Sequence, residues 1–161
     1  MPRSWLTTVL VLATLGAALM AGTFFIFSVA VMPALRKLDP ARAAAAMNSI
    51  NATILNPVFL GAFVGTAVLA AVLVVTGFTR GEDPAGPWLI AGGLLYALGV
   101  FGVTAALNVP LNEQLARAAA EAPGVGAAWA SYEPSWTRWN HVRTVASIGA
   151  TLAWVVAALH R

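Results

Sequence analysis

Four apolar stretches, at about residues 5–31, 57–79, 87–108 and 135–160, dominate this chain, and the first three carry no charged residue. A helix needs about 20 such residues to cross roughly 30 Å of hydrocarbon, where every backbone N–H and C=O must find its partner within the protein. The expected fold is therefore all-α, an integral membrane bundle of four transmembrane helices. With 60% of its 161 residues hydrophobic and 9% charged, the chain has too little polar surface to face water on every side. The connections are too short to hold another domain, so residues 1–161 read as one transmembrane domain. The first stretch outruns the apolar core of a signal peptide and continues into "VMPALRKL", which makes it a retained span.

Between spans one and two, "RKLDPARAAAAMNSINATILNP" predicts a short amphipathic helix from Pro40 to about Ile50, with Asp39 as its N-cap. Pro33 is expected to end or kink span one. Pro110 is expected to do the same to span three, ahead of an alanine-rich continuation to about Ala120. "TRGEDPAGP" is a tight polar turn, and "EAPGVGAAWASYEPS" reads as a looser lead into span four. Gly61 and Gly65 form a GxxxG pair, a motif of low specificity that leaves a homo-oligomer open.

The absence of cysteine excludes disulfides, thiolate nucleophiles and sulfur-ligated metals. The net charge of +3 is scattered over helix ends, so the partner it implies is the lipid bilayer and not nucleic acid. Threading four spans brings the end of span one, the start of two, the end of three and the start of four to one side. Nearly all the unusual polar residues gather there, together with Arg36, Lys37, Arg42, Arg117, Arg138 and Arg143, against Arg3, Arg80 and Arg161 on the other. The positive-inside rule puts the polar side in the cytoplasm of a bacterial plasma membrane.

Span four opens "WTRWNHVRTV". At about 100° per residue, Trp136, Asn140, Arg143 and Ser147 fall on one stripe to which Trp154 returns, while His141 points more than about 100° away from Arg143. An arginine or asparagine inside a bilayer costs a few kcal/mol unless it finds partners. The stripe therefore either lines a pocket or bonds neighbouring helices. Asn108 and Asn112 are four apart in "NVPLNEQLAR", suited to orienting a carbonyl or phenol or to capping carbonyls freed by Pro110. Glu113 is a carboxylate close to the end of span three. Trp5, Trp88 and Trp129 read as an aromatic belt, and Trp136 and Trp139 flank the polar stripe. Two histidines without cysteine or a carboxylate cluster make no dedicated metal site, although haem on one histidine or a loosely bound metal stays open.

The segments "FFIFSVAVMPAL", "MNSINATILNPVFLGAFVGT", "NVPLNEQLA" and "WTRWNHVRTVAS", in this order on four spans, resemble the DUF1772 family, whose fungal members include anthrone oxygenases. The resemblance implies oxygenation of a flat lipophilic phenol or anthrone to a quinone, with no organic cofactor. It assigns His141 as base with Glu113 in reserve, and Asn140 and Arg143 as donors to a developing oxyanion. Asn108, Asn112, Asn56, Trp136, Trp139 and Phe25 would then bind the substrate. The rival readings are a non-enzymatic carrier or binder of small molecules, and a scaffold whose polar stripe mediates assembly.

Overall fold

The computed structural model describes residues 3–120 and 124–160, which are helical almost throughout and hold no strand. Residues 121–123, within the expected loose lead into span four, and Arg161 lie outside the described residues. Helix α1 (Arg3–Ile26) runs through a π-helical turn, Phe27–Val31, into the short α2 (Met32–Leu35). Helix α3 (Pro40–Thr53) begins where expected, with Asp39 Oδ1 accepting from the Ala41 N–H at 3.0 Å, and runs three residues longer. Then come α4 (Pro57–Thr79) and α5 (Gly86–Leu94). Two π-helical segments, Leu95–Gly102 and Thr104–Asn108, carry α5 into α6 (Val109–Ala120), and α7 (Val125–Leu159) completes the chain.

Four helical stretches are long and apolar enough to cross a membrane: Ser4–Leu35, Pro57–Thr79, Gly86–Ala119 and Val125–Leu159. This is a multi-pass integral membrane protein. The four close into a ring in which α1 packs on α4 and α7, and α5 packs on the same two helices from the other side. On α1 the buried residues Leu6, Leu10, Ala13, Ala17, Met20 and Phe24 alternate steps of four and three, the spacing that keeps one seam against its neighbours. Opposite them stand Leu73, Leu89, Tyr96 and Trp154.

Three of the four helices overrun the bilayer. At 1.5 Å per residue, the 34 residues of Gly86–Ala119 span about 51 Å, well beyond roughly 30 Å of hydrocarbon. The overhang, with α3 laid across it, forms a head with its own core of Met32, Leu35, Met47, Leu115, Trp129, Tyr132 and Trp136. This corrects two expectations. The stretch before span four is helical from Val125, and Trp129 is buried in the head instead of standing in the headgroup belt, as the half-exposed Trp88 does.

Neither Pro33 nor Pro110 ends its helix. Proline lacks the N–H that closes an α turn, and its ring strikes the carbonyl four residues back. Here a π turn precedes each proline: the Met32 N–H reaches Phe27 O and the Val109 N–H reaches Thr104 O, five residues back in both cases. The wider turn moves the offending carbonyl aside and lets the helix continue.

Close packing of α1 on α4 depends on Gly16, where an added Cβ would lie 1.9 Å from Thr66 Oγ1. Gly61 and Gly65 meet nothing within 4 Å, so the GxxxG face looks outward. Gly16→Val is expected to destabilise the bundle by about 1–3 kcal/mol through overpacking, and the Gly61→Ala, Gly65→Ala pair to leave it unchanged, as read by thermal unfolding in mild detergent.

Candidate functional site

The stripe read on α7 is buried: Trp136, Asn140, Arg143, Ser147 and Trp154 all face inward. Asn140, fully buried, is the junction. Its Nδ2 donates to the Phe24 carbonyl and to Ser28 Oγ, both at 2.8 Å, and its Oδ1 accepts from Arg143 Nη2 at 2.9 Å. Phe24 lies just before the π turn of α1 and Ser28 lies in it, so the irregular turn and the polar site meet at one point. Such turns recur at functional sites because they re-aim backbone groups that a regular helix keeps to itself.

Arg143, 5% exposed, has no carboxylate partner among the described residues. Nη1 donates to Thr104 Oγ1 at 3.3 Å, and the guanidinium carbon sits 4.4 Å from the Phe24 ring centroid and 5.0 Å from that of Trp136. Two aromatic faces and two neutral oxygens thus stabilise the cation. Its Nε has no partner.

Arg143 borders a cavity of about 520 Å³ lined by α1, α3, α4, the Thr104–Asn108 turn, α6 and α7. The volume lies within the range of about 300–1,000 Å³ usual for small-molecule sites. Its walls are chiefly apolar, with Phe24, Phe27, Phe59, Phe63 and Phe101 among them. Five buried polar atoms on lining residues lack a hydrogen-bond partner: Arg143 Nε, Trp136 Nε1 and Asn51 Nδ2 as donors, Asn48 Oδ1 and Asn108 Oδ1 as acceptors. Buried polar groups are paired in the great majority of cases, since each one left bare costs about 1–3 kcal/mol. The five are enclosed behind the apolar lining and gather donors and acceptors around one space.

Of the residues predicted for the site, Arg143, Trp136, Asn108, Asn112 and Glu113 line this cavity. Asn108 Nδ2 donates to the Trp136 carbonyl at 3.3 Å, and Asn112 Oδ1 accepts from the Tyr132 hydroxyl at 2.9 Å. Asn140 stands behind Arg143. Four others lie elsewhere. His141 is exposed outside the cavity, turned away as the helical wheel requires, with Nδ1 2.9 Å from Ser28 Oγ. Asn56 caps α4, accepting from the Val58 and Phe59 N–H groups at 3.1 and 3.0 Å. Phe25 is 52% exposed, one position out of phase with Phe24. Trp139 lies under the Arg138 guanidinium at 5.6 Å, away from the cavity.

The residues not foreseen as site residues are Asn48 and Asn51, three apart on α3, together with Thr104, which extends Asn108 and Asn112 into a line of polar residues spaced by four. That spacing was visible in the sequence. Among the described residues, no three His, Cys, Asp or Glu side chains gather as a metal site.

A family model described as anthrone oxygenase matches residues 52–153, more than half of the chain. The chain belongs to the anthrone oxygenase family. The match runs from the end of α3 to near the end of α7, so it takes in Thr104, Asn108, Trp136, Asn140 and Arg143 but starts after Phe24 and Ser28. No curated protein and no solved structure matches the chain.

Asn140→Leu would strand the Phe24 carbonyl and an Arg143 nitrogen together. The expected cost is about 2–6 kcal/mol, at roughly 1–3 kcal/mol for each unsatisfied group, with a smaller loss for Ser28→Ala, since Asn140 Nδ2 keeps Phe24. Thermal unfolding in detergent measures both, and equal losses would contradict the hub role of Asn140.

Proposed function

We propose that the protein is a membrane oxygenase that converts a flat, lipophilic phenol of the anthrone type to a quinone inside this cavity. The observation that carries the reading is the group of unpartnered donors and acceptors around Arg143 in an otherwise apolar space. A rigid aromatic with a carbonyl and ring hydroxyls has the matching chemistry. Family membership supports the same class of substrate.

The reaction needs a base, donors for a developing oxyanion, and a dry space that admits O2. Removal of one C10 proton from an anthrone gives a carbanion that is also the phenolate of the ring system. This anion passes one electron to O2, and the radical and superoxide couple at C10 and take up a proton to form a hydroperoxide. Loss of the remaining C10 proton breaks the O–O bond, expelling hydroxide that leaves as water, and the other oxygen becomes the new carbonyl. O2 is the only oxidant, and this proposal includes no organic cofactor.

Arg143 Nε and Trp136 Nε1 donate to the substrate oxygen as it gains charge, while Asn48 and Asn108 accept from ring hydroxyls. Asn140 positions Arg143. The base in this proposal is Glu113, the carboxylate on the cavity wall, because His141 faces outward. We further propose a bacterial plasma membrane with the head in the cytoplasm, on the excess of Arg36, Lys37, Arg42, Arg117 and Arg138 at that end over Arg3, Arg80 and Arg161 at the other.

With emodin anthrone as substrate and O2 uptake as readout, Arg143→Lys is expected to lower turnover about 10²–10³-fold, the usual effect of losing one oxyanion donor. His141→Ala should stay within about threefold of the parent, whereas Glu113→Gln should fall by about 10²-fold, in the range for a missing general base. Loss of turnover in His141→Ala with full activity in Glu113→Gln would return the base to His141. Binding without O2 uptake by the parent protein would make it a carrier.

A further inference from the structure

The cavity has an edge as well as a floor. On the third span its lining residues sort into two parallel lines spaced by four. Thr104, Asn108 and Asn112 form the less exposed line, while Phe101, Ala105 and Val109 line the cavity and are exposed. Helix α4 supplies the facing edge with Leu60 and Val64, which are likewise both lining and exposed. π turns hold more residues than α turns, so positions four apart drift little around the helix and each line stays straight.

The two edges part at one end only. At the far end α4 and α5 touch so closely that a Cβ on Gly93 would lie 2.8 Å from the Ala70 carbonyl, and one on Gly77 would lie 2.8 Å from the Gly86 carbonyl. Contact persists to Phe63, whose carbonyl accepts from the Tyr96 hydroxyl at 3.1 Å and whose ring stacks on Phe101 at 5.5 Å. Beyond Phe63 on α4 and Phe101 on the third span, the space between the helices is the cavity itself. Val64 lies seven residues, or about 10 Å, inside α4 from Pro57, which places the slit in the hydrocarbon. The upper end of the slit, near Leu55 and Glu113, reaches the headgroup level.

We propose that this slit is a lateral portal, through which a membrane-dissolved, uncharged aromatic enters sideways from the leaflet nearest the head and leaves the same way. Its rim through the span is apolar, with Val64 42% and Val109 40% exposed, and the unpartnered polar atoms lie behind it. A lipophilic phenol crosses such a rim in its neutral form and meets donors and acceptors only after it has left the lipid. This inference rests on the reading of the cavity as the ligand site.

The chain has no cysteine, so Ala105→Cys in the full-length protein, reconstituted in lipid nanodiscs, is a unique reporter on the rim. Pyrene maleimide, which partitions into lipid, is expected to label it at least tenfold faster than a sulfonated, water-confined maleimide does. Glu82→Cys in the exposed turn should show the reverse. The pyrenyl adduct at position 105 should weaken emodin binding at least tenfold, and a small methylthio adduct should leave it within about twofold. Equal labelling by both maleimides, or unchanged emodin binding by the pyrenyl adduct, overturns the portal. If the pyrenyl adduct binds normally while Arg143→Ala does not, the portal falls and the site stands. If Arg143→Ala also binds normally, both fall.

Discussion

A guanidinium at the border of the hydrocarbon has to be held by neutral groups when no carboxylate accompanies it, and here Asn140 does the holding. One amide ties the π turn of α1 to the cation on α7, using its nitrogen for the Phe24 carbonyl and Ser28 and its oxygen for Arg143. Because the amide is fully buried, neither end can exchange its partner for water without loss. The orientation of Arg143 and one polar tie between α1 and α7 follow from that one side chain. Arg143 itself lines the cavity and is left with a buried Nε that has no partner.

Much of the fold was legible because membrane helices announce themselves by length and composition. The buried face of α7 was legible too, since Trp136, Asn140, Arg143 and Ser147 share a helical stripe whatever they pack against. The head was harder to read. Its helices are the same helices prolonged into water, and "EAPGVGAAWASYEPS" has the glycine and proline of a loop although Val125 onward is helical. Periodicity cannot signal where the lipid stops when the backbone does not change.

The site was legible in outline and blurred by one residue in phase. Phe25 was expected on the wall and Phe24 stands there; His141 was expected at the chemistry and touches it only through Ser28 and Asn140. Asn56 has the residue type of a ligand-binding amide, and its neighbour Pro57 marks it as a helix cap. In each case the residue type was informative, and the choice between wall, cap and outer face needed the partner helix.

The π turns at Phe27–Val31 and Thr104–Asn108 carry a consequence for descent as well as for shape. Each is equivalent to one residue inserted into a regular helix, so each divides its helix into two stretches whose faces are set independently. Below the turn, side chains are phased to the lipid and the bundle core; above it, to the head. A single-residue deletion in either turn would return it to an α turn and bring the proline ring back against the carbonyl four residues before it. Sequences of equal hydropathy can therefore differ in whether a proline is carried through a span without a break, and the length of these two turns separates the two cases.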